Sequence, residues 1–271
     1  MTVPSSRLPI GVFDSGLGGL TVVKEIRKRL PHENIIYVGD TARVPYGTKS
    51  PATIRRYALQ ISFFLIQRRV KAIVVACNTV SAVALNALRA LPIPVYGVIE
   101  PGARAAVLGS DSMRIGVIGT PATVGSHAYK TAIQHYSPKA QVWETACPLF
   151  VPLVEEGWTD RAVTRQVARE YLAPVLARNV DALVLGCTHY PLLKNVIGRV
   201  AGPSVRLIDS AEETAKDVEA GLRKHKALNE STRAGSEQYF VTDTPASFAR
   251  LGGRFLGKGL SAARRLSLEN L

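Results

Sequence analysis

With 271 residues, 46% of them hydrophobic and 20% charged, the chain is long and apolar enough for one large or two ordinary globular domains, which excludes a disordered protein. No apolar stretch reaches the roughly 18 residues of a membrane helix, the opening "MTVPSSRLPIGVFDSG" runs straight into a strand-like segment with no signal peptide in view, and three cysteines are too few and odd in number for a disulfide framework. A cytoplasmic protein with free thiols is expected, and its net charge of +13 would suit either nucleic acid or small anions as partners.

Taken in chain order, apolar runs alternate with helical patterns from end to end. "PIGVF" (9–13), "IIYV" (35–38), "AIVVA" (72–76), "PVYGV" (94–98), "RIGVI" (114–118), "ALVL" (182–185) and "VRLI" (205–208) predict strands buried on both faces. After the second of them, "SPATIRRYALQISFFLIQR" predicts a helix with Ser50 as cap, Pro51 at its first position and Ile54, Ala58, Ile61 and Leu65 along one face. "SAEETAKDVEAGL" predicts another that opens on a capping box of Ser210 and Glu213. Such alternation means βα units around largely parallel sheets.

Two phrases recur. "VKAIVVACNT" (70–79) is echoed by "VDALVLGCTH" (180–189), which puts Cys77 and Cys187 in matching slots, and "IGVFDSG" (10–16) has a weaker echo in "IGVIGTP" (115–121). The expected fold class is therefore α/β: two pseudo-symmetric α/β domains with largely parallel sheets and an active site in the cleft between them. Residues 1–97 with 210–271 form the expected first domain, on the Cys77 side, and residues 98–209 the second, on the Cys187 side.

In parallel α/β sheets functional groups gather where strands turn into helices. Four such turns stand out: "DSGLGG" (14–19), "PYG" (45–47), "CNT" (77–79) and "CTHYP" (187–191). Their short polar residues and glycines suit a small ligand held by backbone amides and hydroxyls. A cysteine just before a helix N-terminus is expected to have its thiolate stabilised and its pKa lowered. A free cysteine is more often a small buried hydrophobe, the reading kept for Cys147 in "ACPLF", but matched placement in two repeats argues for chemistry at Cys77 and Cys187. Asp14 and Ser15 alone would suggest only an Asx-type turn. The G-x-G-G spacing after them is not the dinucleotide fingerprint, and Asp14 would repel pyrophosphate. Zinc held by Cys77, Cys187, His189 and Asp14 is a rival, although there is no C-x-x-C pair.

Two thiols facing each other across a cleft suggest a different chemistry. A carbon acid held between two bases loses its proton to one face and regains one on the other, which inverts the centre. One sulfur must be thiolate and the other thiol. Asp14 on the first side, with Glu155 or His189 on the second, are the groups available to tune them.

"GVFDSGLGGLTV", "YVGDTARVPYG", "ACNTVSA", "CPLFVPLVEEG", "LGCTHYPLL" and "LIDSAEETA" together resemble the glutamate racemase family, in order and across essentially the whole chain. The resemblance implies an enzyme that interconverts L- and D-glutamate without a cofactor and supplies D-glutamate for peptidoglycan. It implies Cys77 and Cys187 as the acid/bases, with Asp14 and His189 assisting and Glu155 as a further acid beside the similar Glu156. It further implies that Asp14, Ser15, Pro45, Tyr46, Gly47, Asn78, Thr79, Thr188 and His189 hold the substrate, with no metal, no pyridoxal phosphate and a homodimeric assembly. Aspartate racemase is the alternative with the same chemistry, a zinc hydrolase the other enzyme, and a basic nucleic-acid- or protein-binding module the alternative of another class.

The basic residues lie in groups such as "KEIRKR", "QRRVK" and "RKHK" that read as solvated helix faces, with no zinc-finger spacing or RNP-like signature. A nucleic-acid partner is therefore not expected. Duplex DNA should show no retardation on a native gel even at low salt; retardation that weakens steeply with added salt would restore nucleic acid as a partner.

Overall fold

The structure, a computed structural model, describes residues 5–260 and 262–268. Residues 1–4, 261 and 269–271, which belong to the expected first domain, lie outside it. The chain begins with β1 (Ile10–Asp14), α1 (Leu20–Arg29), β2 (Ile35–Gly39), α2 (Pro51–Gln67), β3 (Ala72–Val75), α3 (Asn78–Leu88) and β4 (Val95–Gly97). It continues through α4 (Ile99–Leu108), β5 (Arg114–Gly119), α5 (Pro121–Gly125), α6 (Ala128–Tyr136), β6 (Gln141–Ala146), α7 (Phe150–Glu155) and α8 (Ala162–Leu176). β7 (Ala182–Gly186), α9 (Lys194–Ala201), β8 (Arg206–Asp209), α10 (Ser210–Lys224), β9 (Glu237–Val241), α11 (Pro245–Leu256) and β10 (Arg264–Arg265) complete it.

Two sheets result, with every described strand pairing parallel. The first lobe holds the order β10-β9-β2-β1-β3-β4 and the second β6-β5-β7-β8. β1, β2, β3 and β7 are buried at every position, as apolar runs covered by helices on both faces should be. α2 forms as its sequence dictates: Ser50 accepts from the Thr53 amide at 3.3 Å, Pro51 opens the helix, and Ile54, Ala58, Ile61 and Leu65 are buried. One apolar cluster runs from Leu20 and Tyr37 in the first lobe to Phe150, Leu185 and Tyr190 in the second, with Ala211, Ala215 and Val218 of α10 between them. α10 packs on both α1 and α4. Among the described residues no helix is long and apolar enough to cross a membrane.

Three strands escaped the apolar-run criterion. β6 and β10 are edge strands and largely outside the core, and β9 starts on the half-buried Glu237 and exposed Gln238, so none presents a continuous apolar run. The expected capping box at Ser210 is corrected too. Asp209 is the cap and accepts from the Ala211 amide at 2.9 Å, while the Ser210 hydroxyl donates to the Leu185 carbonyl at 3.1 Å and Glu213 pairs with Lys216. The helix expected over 190–200 forms, opening as a 3₁₀ turn, Tyr190–Leu193, that runs into α9 at Lys194.

At the amino-terminal edge of the first sheet Lys71 Nζ lies 2.5 Å from Glu33 Oε2, with their side chains 4% and 2% exposed. Lys71 also donates to the Ser6 and Ala227 carbonyls, both at 2.7 Å, and Glu33 Oε1 accepts from the Asn229 amide at 2.8 Å. The pair thus ties four separate segments together beneath the strands, those around Ser6, Glu33, Lys71 and 227–229. Lys71→Met would strand a buried carboxylate without its cation, so urea unfolding should show a loss of about 3–5 kcal/mol.

Candidate active site

The two thiols sit at equivalent strand ends. Cys77 follows β3 as the extended residue preceding α3 (φ −69°, ψ 121°), and Cys187 follows β7. Both are buried. Each sulfur has its own set of helpers. Cys77 Sγ donates to Ser15 Oγ at 3.6 Å, and Asp14 is close enough for its charge to act on Cys77. Cys187 Sγ lies 4.0 Å from His189 Nδ1, whose other ring nitrogen, Nε2, lies 3.0 Å from Glu155 Oε1. Of Glu155 and Glu156, Glu155 is the acid whose carboxylate reaches the imidazole. Charge also passes between the lobes, with Asp14 acting on His189 and Cys187 on Cys77.

The turn after β1 explains how an aspartate comes to be there. Asp14 Oδ2 accepts from the Gly16 amide at 3.0 Å, and the Tyr37 hydroxyl donates to the Gly16 carbonyl at 2.8 Å, which locks the turn. Gly18 is where the turn meets the other lobe. A Cβ there would fall 2.1 Å from Thr188 Oγ1 and 2.5 Å from His189 Nδ1, so only glycine permits the approach. Thr21, at the start of α1, donates to the Thr188 carbonyl at 3.0 Å and fastens the same two loops.

Burial dominates the electrostatics. It raises the Asp14 carboxyl above its ordinary value, against the pull of His189 and the amides of Gly16, Gly19 and Ser15. Burial, then the Asp14 charge, pushes the Cys77 thiol up to about 12; the Val80 amide and Ser15 hydroxyl only moderate this. The expectation that a helix N-terminus would lower the pKa is therefore overturned at Cys77, because desolvation outweighs the helix. His189 behaves oppositely: burial, the largest influence, pulls it down, but the hydrogen bonds and charges of Cys187 and Glu155 together hold it at about 10. The balance favours its protonated form.

The remaining expected residues divide by what they face. Thr79 Oγ1 lies 3.0 Å from Thr120 Oγ1 and 3.3 Å from Thr123 Oγ1, a hydroxyl cluster spanning the lobes. Asn78 Oδ1 accepts from the Tyr129 hydroxyl at 2.7 Å. Asn78 Nδ2 and Asp14 Oδ1, by contrast, are buried without a partner. A donor and an acceptor left open beside two thiols would complement a ligand carrying both a carboxylate and an ammonium group. Gly47 faces Thr120, where a Cβ would lie 3.4 Å from Thr120 Cβ. Pro45 is exposed, and the Tyr46 phenol turns away to donate to buried Asp40, so that segment can offer a ligand only its backbone. Among the described residues no three His, Cys, Asp or Glu side chains group as metal ligands.

Thr120, Thr123 and Tyr129 were missed by motif reading. The "IGV" repeat carried the signal for Thr120, which stands in the place of Ser15 when "IGVFDSG" is laid on "IGVIGTP". The same register puts Gly119 opposite Asp14, so the second lobe has no acid at its strand end and draws Glu155 from α7 instead.

A family model described as Asp/Glu/Hydantoin racemase matches residues 15–218. Over 96% of this chain and 97% of its own length, the glutamate racemase of Geobacter metallireducens is 58% identical. The crystal structure of glutamate racemase from Francisella tularensis in complex with D-glutamate superposes with a TM-score of 0.91 at 42% identity, covering 98% of this chain and 100% of that one. That of Thermus thermophilus in complex with β-chloro-D-alanine gives 0.90 at 50% identity, covering 98% and 99%.

With its thiol pushed up to about 12, Cys77 should hold roughly a thousandfold less thiolate at pH 8 than an ordinary cysteine. Peptide-mapped iodoacetamide labelling should therefore find Cys77 nearly inert at pH 8 in the folded protein and reactive after urea.

Proposed function

We propose a specific reaction for this chain, which belongs to the Asp/Glu/Hydantoin racemase family: it interconverts L- and D-glutamate by passing the α-proton between Cys77 and Cys187. The observation that supports this reading is the pair of buried thiols at matching strand ends, each with separate acid–base helpers, beside an unpartnered donor and acceptor.

The α-carbon of an amino acid is a weak acid, so the site must both remove its proton and stabilise the charge that remains. Cys187, beside the protonated imidazole of His189, takes the proton from one face as thiolate and becomes a thiol. The electron pair left on the α-carbon spreads into the carboxylate. Cys77, held as a thiol by burial, gives its own proton to the opposite face and becomes a thiolate. The other direction runs through the same atoms with the roles exchanged. Asp14 Oδ1 suits the substrate ammonium, which would favour the ionised carboxyl that burial disfavours. Asn78 Nδ2 and the Thr79–Thr120–Thr123 hydroxyls suit the substrate carboxylate as it accumulates charge. Ser15, Thr188 and the backbone of Pro45, Tyr46 and Gly47 line the same turns. Glu155 holds the imidazole from its far nitrogen. No metal or pyridoxal phosphate takes part in this scheme.

The same reading divides the chain as residues 1–97 with 210–271 and residues 98–209, and it makes the active form a cytoplasmic homodimer whose D-glutamate feeds peptidoglycan synthesis. Proton NMR of the purified protein with D-glutamate in heavy water, with chelator and no added cofactor, tests the chemistry. The α-proton signal should disappear as optical activity falls, and Cys77→Ala or Cys187→Ala should each slow racemisation by at least about a thousandfold. Exchange with aspartate alone would keep the mechanism and change the substrate; full racemisation by either variant would remove the two-thiol mechanism.

A further inference from the structure

The last helix of the first lobe reaches across to the acid–base pair of the second. α11 packs on α1 and β9, and its seat on α1 is close: a Cβ at buried Gly252 would fall 2.9 Å from Leu20 Cδ1. From that seat it presents two consecutive side chains. Phe255, 1% exposed, sets its ring 5.2 Å from the His189 ring at an interplanar angle of 86°. Arg254 Nη1 donates to the Glu155 carbonyl at 3.0 Å. Glu155 is the last residue of α7, so its carbonyl is one of those a helix leaves unpaired, and a cation there also meets the negative end of the helix. Beyond it the chain reverses at Gly157 in the left-handed region (φ +75°), where a Cβ would lie 2.8 Å from Arg254 Nη1. The guanidinium therefore has a place left for it.

We propose that Arg254 and Phe255 are positioning residues for the His189–Glu155 pair, keeping the imidazole in the one orientation that meets Cys187 with Nδ1 and Glu155 with Nε2. This rests on the racemase reading for its consequence, though not for its geometry. The imidazole has two soft torsions, and the Glu155 side chain is 37% exposed, so the ion pair alone is a weak tether. Phe255 restricts the ring plane and Arg254 fixes the backbone from which Glu155 extends. Neither touches the substrate groups described above. α11 also lies beyond residue 218, where the family match ends.

The charged groups facing His189 are Cys187 from its own loop, Asp14 from the end of β1 and Glu155 from α7, with Arg254 of α11 behind Glu155. If the ring turns or Glu155 swings away, His189 loses a partner that favours its charged form. Histidine-¹⁵N-labelled protein without substrate reads this directly, with His189 identified among the five histidines by the signal missing in His189→Gln. Phe255→Leu and Arg254→Ala should each move the His189 midpoint toward acid by about one pH unit. Each should also lower kcat on glutamate about tenfold with KM nearly unchanged, and Arg254→Lys, which keeps a donor, should restore most of both. Arg254→Ala alters an exposed side chain and should stay folded, with an unchanged circular dichroism spectrum and Tm; it carries the test even where Phe255→Leu does not fold. A His189 midpoint in folded Arg254→Ala equal to that of the unaltered protein would overturn the proposal. Failure of the unaltered protein to racemise glutamate would instead remove the functional reading and leave the titration to decide the positioning.

Discussion

The two lobes meet through a missing side chain. At Gly18 the backbone of the first lobe passes so near Thr188 and His189 that a single methyl group would overlap both, and the Thr21 hydroxyl fastens the same loops from the neighbouring turn of helix. Everything about the site follows from that closeness. It lets the Asp14 charge act on His189 and the Cys187 charge act on Cys77, and it keeps water from the sulfurs, so desolvation outweighs other influences on both Asp14 and Cys77.

Pseudo-symmetry in the fold does not extend to the chemistry. Both sulfurs leave a parallel strand at its carboxyl end, but one is served by a hydroxyl and a carboxyl from the strand beside it, the other by an imidazole backed by a carboxylate from a helix. A racemase must handle two mirror-image substrates, yet these have their α-hydrogens on opposite faces of one fixed carboxylate and ammonium. Two unlike acid–base sets would be compatible with that task, because in the proposed mechanism each sulfur is the base for one enantiomer and the acid for the other.

Much of this was readable from residue order. The alternation of apolar runs and helical stripes dictates parallel sheets, and the repeated phrase around Cys77 and Cys187 places both thiols at strand ends. What remained hidden falls under two physical headings. The edge strands β6 and β10 carry no buried-run signature, since their residues lie largely outside the core, whereas the edges β4 and β8 keep apolar runs. Contacts between lobes leave no local pattern either: nothing near Phe255 in the sequence announces that its ring will meet His189, and nothing near Tyr46 that its phenol will serve Asp40 and not the cleft. The direction of the Cys77 shift is hidden for a related reason: the helix start is a local feature, and the burial that outweighs it comes from tertiary packing.

The order of strands has a bearing on how the molecule is made. The second sheet takes all four strands from residues 114–209, whereas β2 in the first sheet pairs with β9, residue 35 against residue 237. During synthesis the second sheet can close while β2, apolar on both faces, still has an unpaired edge. The sheet that begins the chain is thus the last to be completed, and until β9 emerges its bare edge is the segment most in need of protection from other chains.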